Sequence, residues 1–376
     1  MNTHQTLLFV ASFGLHLTLF GQPLLTNNKL TNRVDTAVHQ AATGYLQQPG
    51  AVGLSIGIYQ NGQTYTYHYG EVKKGTGQLP TASTFYNVGS VAKTFVGIML
   101  AQAVVDKKAK LKDDIRKYLP AKYSNLTYQG HPIQLVHLAN HTSGLPTSAK
   151  SYPTYVRDSL SKLDLISQVE FYGRYNQDSL LKDLHFLKVD TLPGTAYKYN
   201  SGAMMVLTLL LERIYQQPYE KLVTNYLQSH LGMYDTKVQL SVADTKRTAQ
   251  GYDRNNQPQS YVNLKGFYVG PSMNSTVGDM LKYVRANLAE HDQAIKLSHQ
   301  LTWQKSETFA LGLGWMINTD PNGERCVYHS GNTKIGFNTL FTTYPDENTG
   351  FIVIVNDILS QDRVSELEQS IRQNLR

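Results

Sequence analysis

Cysteine is almost missing from this chain of 376 residues, whose single example is Cys326. One cysteine cannot form an internal disulfide, which excludes a disulfide-stabilised scaffold. Cys326 lies in the alternating stretch Arg325-Cys326-Val327-Tyr328. We therefore predict a packed strand position for it and not a nucleophile, since buried cysteines behave mostly as small hydrophobic residues.

A strong charge bias is also missing. The chain has 35 Lys and Arg against 28 Asp and Glu, a formal net charge of +7. The basic residues are dispersed, and no Arg/Lys stripe interleaves with aromatic residues as a nucleic-acid groove would require. We predict no nucleic-acid partner.

Transmembrane patterns are missing too, apart from an apolar run at Thr6–Phe20 near the start. This run is short and interrupted for a membrane span, and it suits the core of a signal peptide over residues 1–21. No Lys or Arg precedes it, so an uncleaved anchor is the alternative. We predict an exported protein, periplasmic or secreted, with no other transmembrane span.

Strand patterns lie at the two ends of the chain. Residues 52–59 and 64–69 flank Asn61-Gly62, a pair that favours a tight β-hairpin turn. Further strands are predicted over 311–317, 325–329, 336–343 and 351–355, and a last helix over 361–375.

Helical patterns fill the middle. Residues 90–107 are apolar almost all round, which indicates a buried helix. Amphipathic helices, such as 203–215 and 276–288, follow within a region of about 111–300. We predict an α/β (α+β) fold: an antiparallel sheet of N- and C-terminal segments, flanked by helices, with a helical subdomain inserted.

Ser90-Val91-Ala92-Lys93 has the spacing with which a lysine one helical turn away could activate a serine. The same spacing occurs at Ser159–Lys162 and Ser179–Lys182, in polar surroundings. The structural alternative is a helix-capping Ser90 and a Lys93 that extends to solvent. Gly89 before Ser90 and the buried helix after it favour the catalytic interpretation.

Several motifs together resemble one family. They are Tyr86–Phe95 (YNVGSVAKTF), Leu111–Pro120, His137–Pro146 (HLANHTSGLP), Pro193–Ser201, Gly270–Met280 and His329–Gly331 (HSG). In order and spacing they resemble class C β-lactamases and their relatives, the low-molecular-weight penicillin-binding proteins, D-amino-acid peptidases and β-lactamase-like esterases. The likeness covers residue 34 to the end and implies a β-lactamase/transpeptidase-like domain over 34–376.

The resemblance implies an acyl-enzyme mechanism without cofactor or metal. Ser90 would be the nucleophile, and Lys93 and Tyr199 would move its proton; Tyr197 is the less favoured tyrosine. The backbone N–H groups of Ser90 and Asn332 would form the oxyanion hole. The substrate-binding residues implied are Ser201, His329, Ser330, Gly331 and Asn332.

Two positions depart from the family pattern. Ser201 stands where an asparagine is usual, and Asn200 could replace that amide only if the loop were shifted by one residue. His329 replaces the lysine of true β-lactamases, and an imidazole is mostly neutral at pH 7. The sequence therefore favours an ester, peptide or amide substrate over a β-lactam. The predicted partner is a small molecule or a peptide, with the cell wall as one source.

Some residues also match other classes of function. His137 and His141 have the i, i+4 spacing of zinc proteases, but the acidic partner is absent, so we predict structural roles. A class C-like β-lactamase is one alternative function. A non-catalytic sensor that holds a cell-wall fragment is another, motivated by Ser201.

Overall fold

An eight-stranded antiparallel sheet organises the chain. The structure is a computed structural model that describes residues 24–120, 122–146, 162, 167, 176–260, 273–320 and 323–376. The strand order in the sheet is β2-β1-β14-β13-β12-β11-β10-β9. Its strands are β1 (Gly53–Gln60), β2 (Gln63–Gly70), β9 (Trp303–Ser306), β10 (Phe309–Leu311), β11 (Met316–Thr319), β12 (Arg325–Thr333), β13 (Phe337–Tyr344) and β14 (Thr349–Val355).

The N- and C-terminal segments share this sheet. β1 pairs with β2 around Asn61 and Gly62, whose φ angles of 48° and 89° are the positive values that a tight hairpin turn needs. On its other side β1 pairs with β14, so that Leu54 lies opposite Val355. The predicted fold class is confirmed.

Helices cover both faces of the sheet. One core holds α1 and α10 against strands of the terminal segments, and a larger core contains the apolar helix α2 and the helices of the middle region. The helices are α1 (Arg33–Leu46), α2 (Ala92–Val105), α3 (Leu135–Ala139), α4 (Gln177–Leu184), α5 (Ser201–Tyr215), α6 (Tyr219–Leu231), α7 (Val242–Thr245), α8 (Val277–Ala289), α9 (Gln293–Ser298) and α10 (Gln361–Leu375).

Short strand pairs accompany the middle helices. They are β3 (Phe85–Asn87) with β8 (Asn274–Thr276), β4 (Thr127–Tyr128) with β5 (His131–Pro132), and β6 (Gly251–Tyr252) with β7 (Pro258–Gln259). β3 matters most for function because it leads directly into the segment of Ser90. Its pairing with β8, in which Tyr86 lies opposite Ser275, ties that segment to the start of α8.

The predicted strand over 311–317 is wrong. The chain forms two strands, β10 and β11, joined by a turn that contains Gly312 and Gly314. Gly314 has a φ of +74°, and a Cβ there would lie 2.5 Å from the carbonyl oxygen of Lys93. The turn therefore packs against the start of α2, a long-range contact that local alternation of apolar residues does not reveal.

Some predictions fall outside the described residues. The signal segment over 1–21, the Ser159–Lys162 pattern except Lys162, and the first part of the Gly270–Met280 motif lie there. Within the described part of the chain, no helix has the length and apolarity that a membrane crossing requires. The boundaries of the inserted subdomain remain a prediction.

Candidate active site

Ser90 lies in a 3-10 turn, Gly89–Val91, between β3 and α2. Gly89 adopts a φ of +55°, and its N–H donates to Asn87 Oδ1 at 3.0 Å. The α-helix begins only at Ala92, and no side chain caps it. Ser90 is therefore not a helix cap, and the residue is partly exposed. We call the solvent-accessible space in front of Ser90 the cleft.

Lys93 directs its amine at that hydroxyl. The side chain is buried, with 4% of its surface exposed, and Nζ donates to Ser90 Oγ at 2.8 Å. The structural alternative, in which Lys93 extends to solvent, is therefore wrong. Burial penalises the charged ammonium and lowers the pKa of Lys93 to about 8. A lysine of this kind has an appreciable neutral fraction near pH 7.

Tyr199 completes the group around Ser90. Burial of its hydroxyl raises the pKa of Tyr199 to about 12, although an interaction with the Ser90 hydroxyl works in the opposite direction. Lys93 Nζ lies 5.2 Å from the centre of the Tyr199 ring. Tyr199 is 36% exposed, so part of the ring faces the cleft. Tyr197 instead packs against the rings of Trp303 and Phe309.

β12 runs alongside the turn that holds Ser90. A Cβ at Gly331 would lie 2.3 Å from the carbonyl oxygen of Val88, so this approach requires glycine. The backbones of the two segments are in close contact here. A Cβ atom built on Gly331 would lie 3.1 Å from the backbone nitrogen of Ser90, and one built on Gly89 would lie 3.1 Å from the backbone nitrogen of Asn332. This arrangement suits the predicted pair of oxyanion donors. The Asn332 side chain donates to Asn338 Oδ1 at 2.5 Å, which ties the end of β12 to β13.

His329 is a neutral residue in this site. It is 2% exposed, and burial together with the nearby Lys93 ammonium lowers the pKa of His329 to about 3. Its Nδ1 lies 2.7 Å from the Ser330 carbonyl oxygen, which can only accept, so Nδ1 carries the proton. The imidazole lies 6.2 Å from the Tyr199 ring and brings no positive charge to the cleft near pH 7. Ser330 is partly exposed beside it.

Asn200 does not replace the missing amide at Ser201. It is the N-cap of α5: Oδ1 accepts from the N–H of Ala203 at 3.1 Å. Its Nδ2 donates to the carbonyl oxygens of Leu145 and Pro146 at 2.9 and 3.1 Å. Both ends of its side-chain amide are thus engaged in the local fold. Ser201 is the first residue of α5 and is partly exposed.

His141 lies next to Tyr199, where its contacts agree with the structural role predicted for it. It is 4% exposed and packs its ring 4.5 Å from that of Tyr199. Its Nδ1 accepts the N–H of Asn200 at 3.2 Å, which fixes the backbone next to Tyr199. Burial, reinforced by the positive charge of Lys93, lowers the pKa of His141 to about 3. The HLANHTSGLP motif contains His141, but the residues that it contacts, Tyr199 and Asn200, lie in a remote segment of the chain.

The zinc arrangement is not formed by His137 and His141. α3 ends at Ala139, and His141 adopts a left-handed φ of 58°, so the two histidines do not share one helical face. His137 Nδ1 accepts the N–H of Gln134 at 3.2 Å. Among the described residues, no three His, Cys, Asp or Glu side chains group as a metal site would need.

These features place the chain in a known class. It belongs to the Beta-lactamase family, whose sequence profile matches residues 38–374. The resemblance stated from the motifs is thereby confirmed.

Two relatives with assigned activities are similar over most of the chain. The D-alanyl-D-alanine-carboxypeptidase/endopeptidase AmpH of Escherichia coli strain K12 is 26% identical over 330 residues, covering 81% of this chain and 80% of AmpH. A β-lactamase of Pseudomonas fluorescens is 26% identical over 283 residues, covering 73% of this chain and 72% of that enzyme.

A solved structure shares the fold. The β-lactamase/D-alanine carboxypeptidase from Yersinia pestis, crystallised with citrate, matches with a TM-score of 0.77 at 23% identity. The match covers 91% of this chain and 99% of that one. At this identity the likeness concerns the architecture.

Proposed function

We propose that this chain is a serine hydrolase that forms an acyl-enzyme on Ser90 and acts on an ester, peptide or amide. The observation that carries the proposal is the 2.8 Å contact between Lys93 Nζ and Ser90 Oγ, made by a buried lysine with a lowered pKa beside a partly exposed hydroxyl. A base within hydrogen-bonding distance of its proton and with a pKa near the working pH is what nucleophile activation needs.

The geometry supports a sequence of proton transfers. Neutral Lys93 takes the Ser90 proton as Oγ forms a bond to the substrate carbonyl carbon. The backbone N–H groups of Ser90 and Asn332 then stabilise the oxyanion. Lys93 and Tyr199 return the proton to the leaving alcohol or amine as its bond to carbon breaks. In the second half-reaction water attacks the acyl-Ser90 ester and gives a proton to Lys93. The bond between the acyl carbon and Oγ then breaks, Oγ regains the proton, and the carboxylic acid is released.

The neutral His329 indicates which substrate charge the site favours. A free carboxylate gains little from an uncharged imidazole, so uncharged esters and amides are favoured over β-lactams and other substrates that carry a carboxylate at that position. The carboxypeptidase and β-lactamase names of the relatives keep D-peptides and β-lactams among the classes to test. Export to the periplasm or medium, predicted from residues 1–21, would give access to cell-wall peptides.

Intact-mass spectrometry tests the proposal. The purified chain is exposed to a fluorophosphonate, a penicillin, p-nitrophenyl esters and D-amino-acid amides. A single adduct is expected in the wild type and in Ser179→Ala, and none in Ser90→Ala. Ser179 is the matched control because Ser179-Leu180-Leu181-Lys182 has the same spacing, whereas its hydroxyl bonds Asn176 at a helix start.

A sensor is the second candidate function, favoured by Ser201 in place of the amide. Labelling that is absent from the wild type with every reagent would refute the hydrolase and leave the sensor. Labelling that survives in Ser90→Ala would refute the choice of nucleophile. Turnover of one member of the panel would define the substrate class.

A further inference from the structure

Three aromatic side chains form a partly exposed group that the reaction outlined above does not use. We call Tyr197, Trp303 and Phe309 the aromatic shelf. The Tyr197 ring lies 6.2 Å from Trp303 and 5.8 Å from Phe309, and all three residues are partly exposed. In contrast, the inner aromatic cluster around Trp315 and Phe341 is fully buried. Partly exposed grouped aromatic rings beside a cleft are typical of binding surfaces.

The aromatic shelf continues the active site. Tyr197 and Tyr199 are two residues apart in the loop that precedes α5, and they share a neighbouring ring. Both rings face His141, at 6.3 and 4.5 Å between ring centres. The path from Ser90 therefore leads past Tyr199 to Tyr197, and from there to Trp303 and Phe309.

The hairpin that carries Trp303 and Phe309 is held in place. Thr302, next to Trp303, accepts a hydrogen bond from Asn140 Nδ2 at 3.2 Å. The turn after β10 is attached to α3, since the Gly314 N–H donates to the Ala139 carbonyl at 2.9 Å. The β9–β10 pairing shifts register between Phe309 and Ala310. Irregularities of this kind re-aim side chains at sheet edges and next to active sites.

The chemistry of the site indicates which part of a substrate would reach these rings. A leaving group departs next to the residue that protonates it, and Tyr199 is that residue in the proposed function. The aromatic shelf begins directly beyond Tyr199. The neutral His329 adds no positive charge there, which suits an uncharged, apolar group.

We infer that the aromatic shelf binds an aromatic or apolar leaving group of the substrate, by ring stacking and apolar burial. The inference rests on the proposed function for the position of the leaving group. Stacking and burial against aromatic rings would favour an aromatic alcohol over a short alkyl one.

Two acetyl esters provide the kinetic test. Ethyl acetate and 2-phenylethyl acetate give the same acetyl-Ser90, so any difference between them arises before the leaving group departs. We expect the ratio of kcat/KM for the phenylethyl ester over the ethyl ester to fall about tenfold in Trp303→Ala and in Phe309→Ala. Trp303→Phe should restore most of it, because the ring is kept.

The control variant is Tyr65→Ala. Tyr65 is a partly exposed aromatic residue on β2, the opposite edge strand of the sheet, and it stacks on Tyr67. Its removal should leave the ratio of the two esters as in the wild type. A ratio that stays constant in Trp303→Ala and Phe309→Ala would overturn the inference, as would an equal fall in Tyr65→Ala.

A binding measurement separates this inference from the proposed function. The chain has two tryptophans, and Trp315 is only 1% exposed, so a ligand on the aromatic shelf should change mainly the fluorescence of Trp303. In Ser90→Ala protein, 2-phenylethanol should give a saturable change that ethanol does not give and that Trp303→Phe abolishes. If this result is obtained while the wild type turns over neither ester and is labelled by no reagent of the panel, the hydrolase is refuted and the aromatic shelf is supported. Turnover without it would refute the aromatic shelf alone.

Discussion

In the part of the chain that the structure describes, two serines each contact a potential base and a tyrosine, and only one of them is partly exposed. Ser90 receives a hydrogen bond from Lys93 at 2.8 Å and interacts with Tyr199. Ser55 Oγ lies 2.8 Å from His68 Nδ1 and 2.8 Å from the hydroxyl of Tyr86. By residue type and distance alone, the Ser55 group looks equally suited to nucleophilic catalysis.

Access separates the two groups. Ser55, His68 and Tyr86 are 0%, 4% and 1% exposed, and strands β1, β2 and β3 enclose them. Ser90 is partly exposed, and Tyr199 is 36% exposed. A carbonyl group could approach Ser90 but not Ser55. Contacts that resemble a catalytic triad therefore define a site only where a substrate can enter.

The buried bases also differ. Burial lowers the pKa of His68 to about 4 and that of Lys93 to about 8. With this pKa, His68 stays neutral at pH 7. Lys93 is mostly protonated at pH 7 but close enough to its pKa to exchange a proton during a reaction.

The largest expected effect comes from removing the amine of Lys93. Lys93→Met keeps an apolar stem of similar length in the buried position and deletes Nζ. We expect the rate of Ser90 labelling by a fluorophosphonate to fall by about a thousandfold or more, because nucleophile and base act as a unit. Circular dichroism should show a folded protein. Labelling at the wild-type rate would contradict the role given to Lys93.

The pH dependence of labelling is the next largest effect. In the proposed reaction Lys93 acts in its neutral form, so its pKa of about 8 predicts a rate that rises with pH and levels off above about pH 8. Between pH 6 and pH 8 the rate should rise about fiftyfold, the ratio of the neutral fractions. His141 and His329, with pKa values of about 3, do not titrate in this window. A flat profile, or a midpoint near 6.5, would assign the base elsewhere.

His329→Lys should have a moderate and selective effect. A lysine would place a potential cation beside the cleft, where the wild type has a neutral ring, and should strengthen binding of a substrate carboxylate about fivefold. The measurement compares KM for N-acetyl-D-alanyl-D-alanine with KM for its C-terminal amide. His329→Gln is the neutral control. An equal change in both substrates, or no change, would refute the charge argument.

Local patterns in the sequence predicted much of this molecule. The Asn61-Gly62 hairpin, the apolar α2 and the closing helix over 361–375 follow from turn chemistry and periodicity within a few residues. The i, i+3 spacing of Ser90 and Lys93 likewise predicted a contact that the structure contains.

Features that depend on remote segments could not be predicted in this way. The turn at Gly314 exists because its backbone meets that of Lys93, and the role of His141 depends on the N–H of Asn200. The aromatic shelf joins Tyr197 to a hairpin far along the chain. Such contacts arise only once the sheet and the middle helices are assembled.

Ser55→Ala should have the smallest effect on activity and a clear one on stability. The change leaves His68 Nδ1 and the Tyr86 hydroxyl without their shared partner in a buried place. An unsatisfied buried polar group costs about 1–3 kcal/mol, so the free energy of unfolding in urea should fall by roughly that amount.

Labelling of Ser90 in Ser55→Ala should stay within about twofold of the wild-type rate, since the Ser55 group supports the β3 segment without facing the cleft. Ser229→Ala, an exposed serine on α6, is the control and should change neither property. Loss of labelling in Ser55→Ala at unchanged stability would contradict the distinction between the two serines. It would mean that the Ser55 group acts on the reaction through Tyr86, which lies on the strand that leads to Ser90, and that access alone does not separate the two groups.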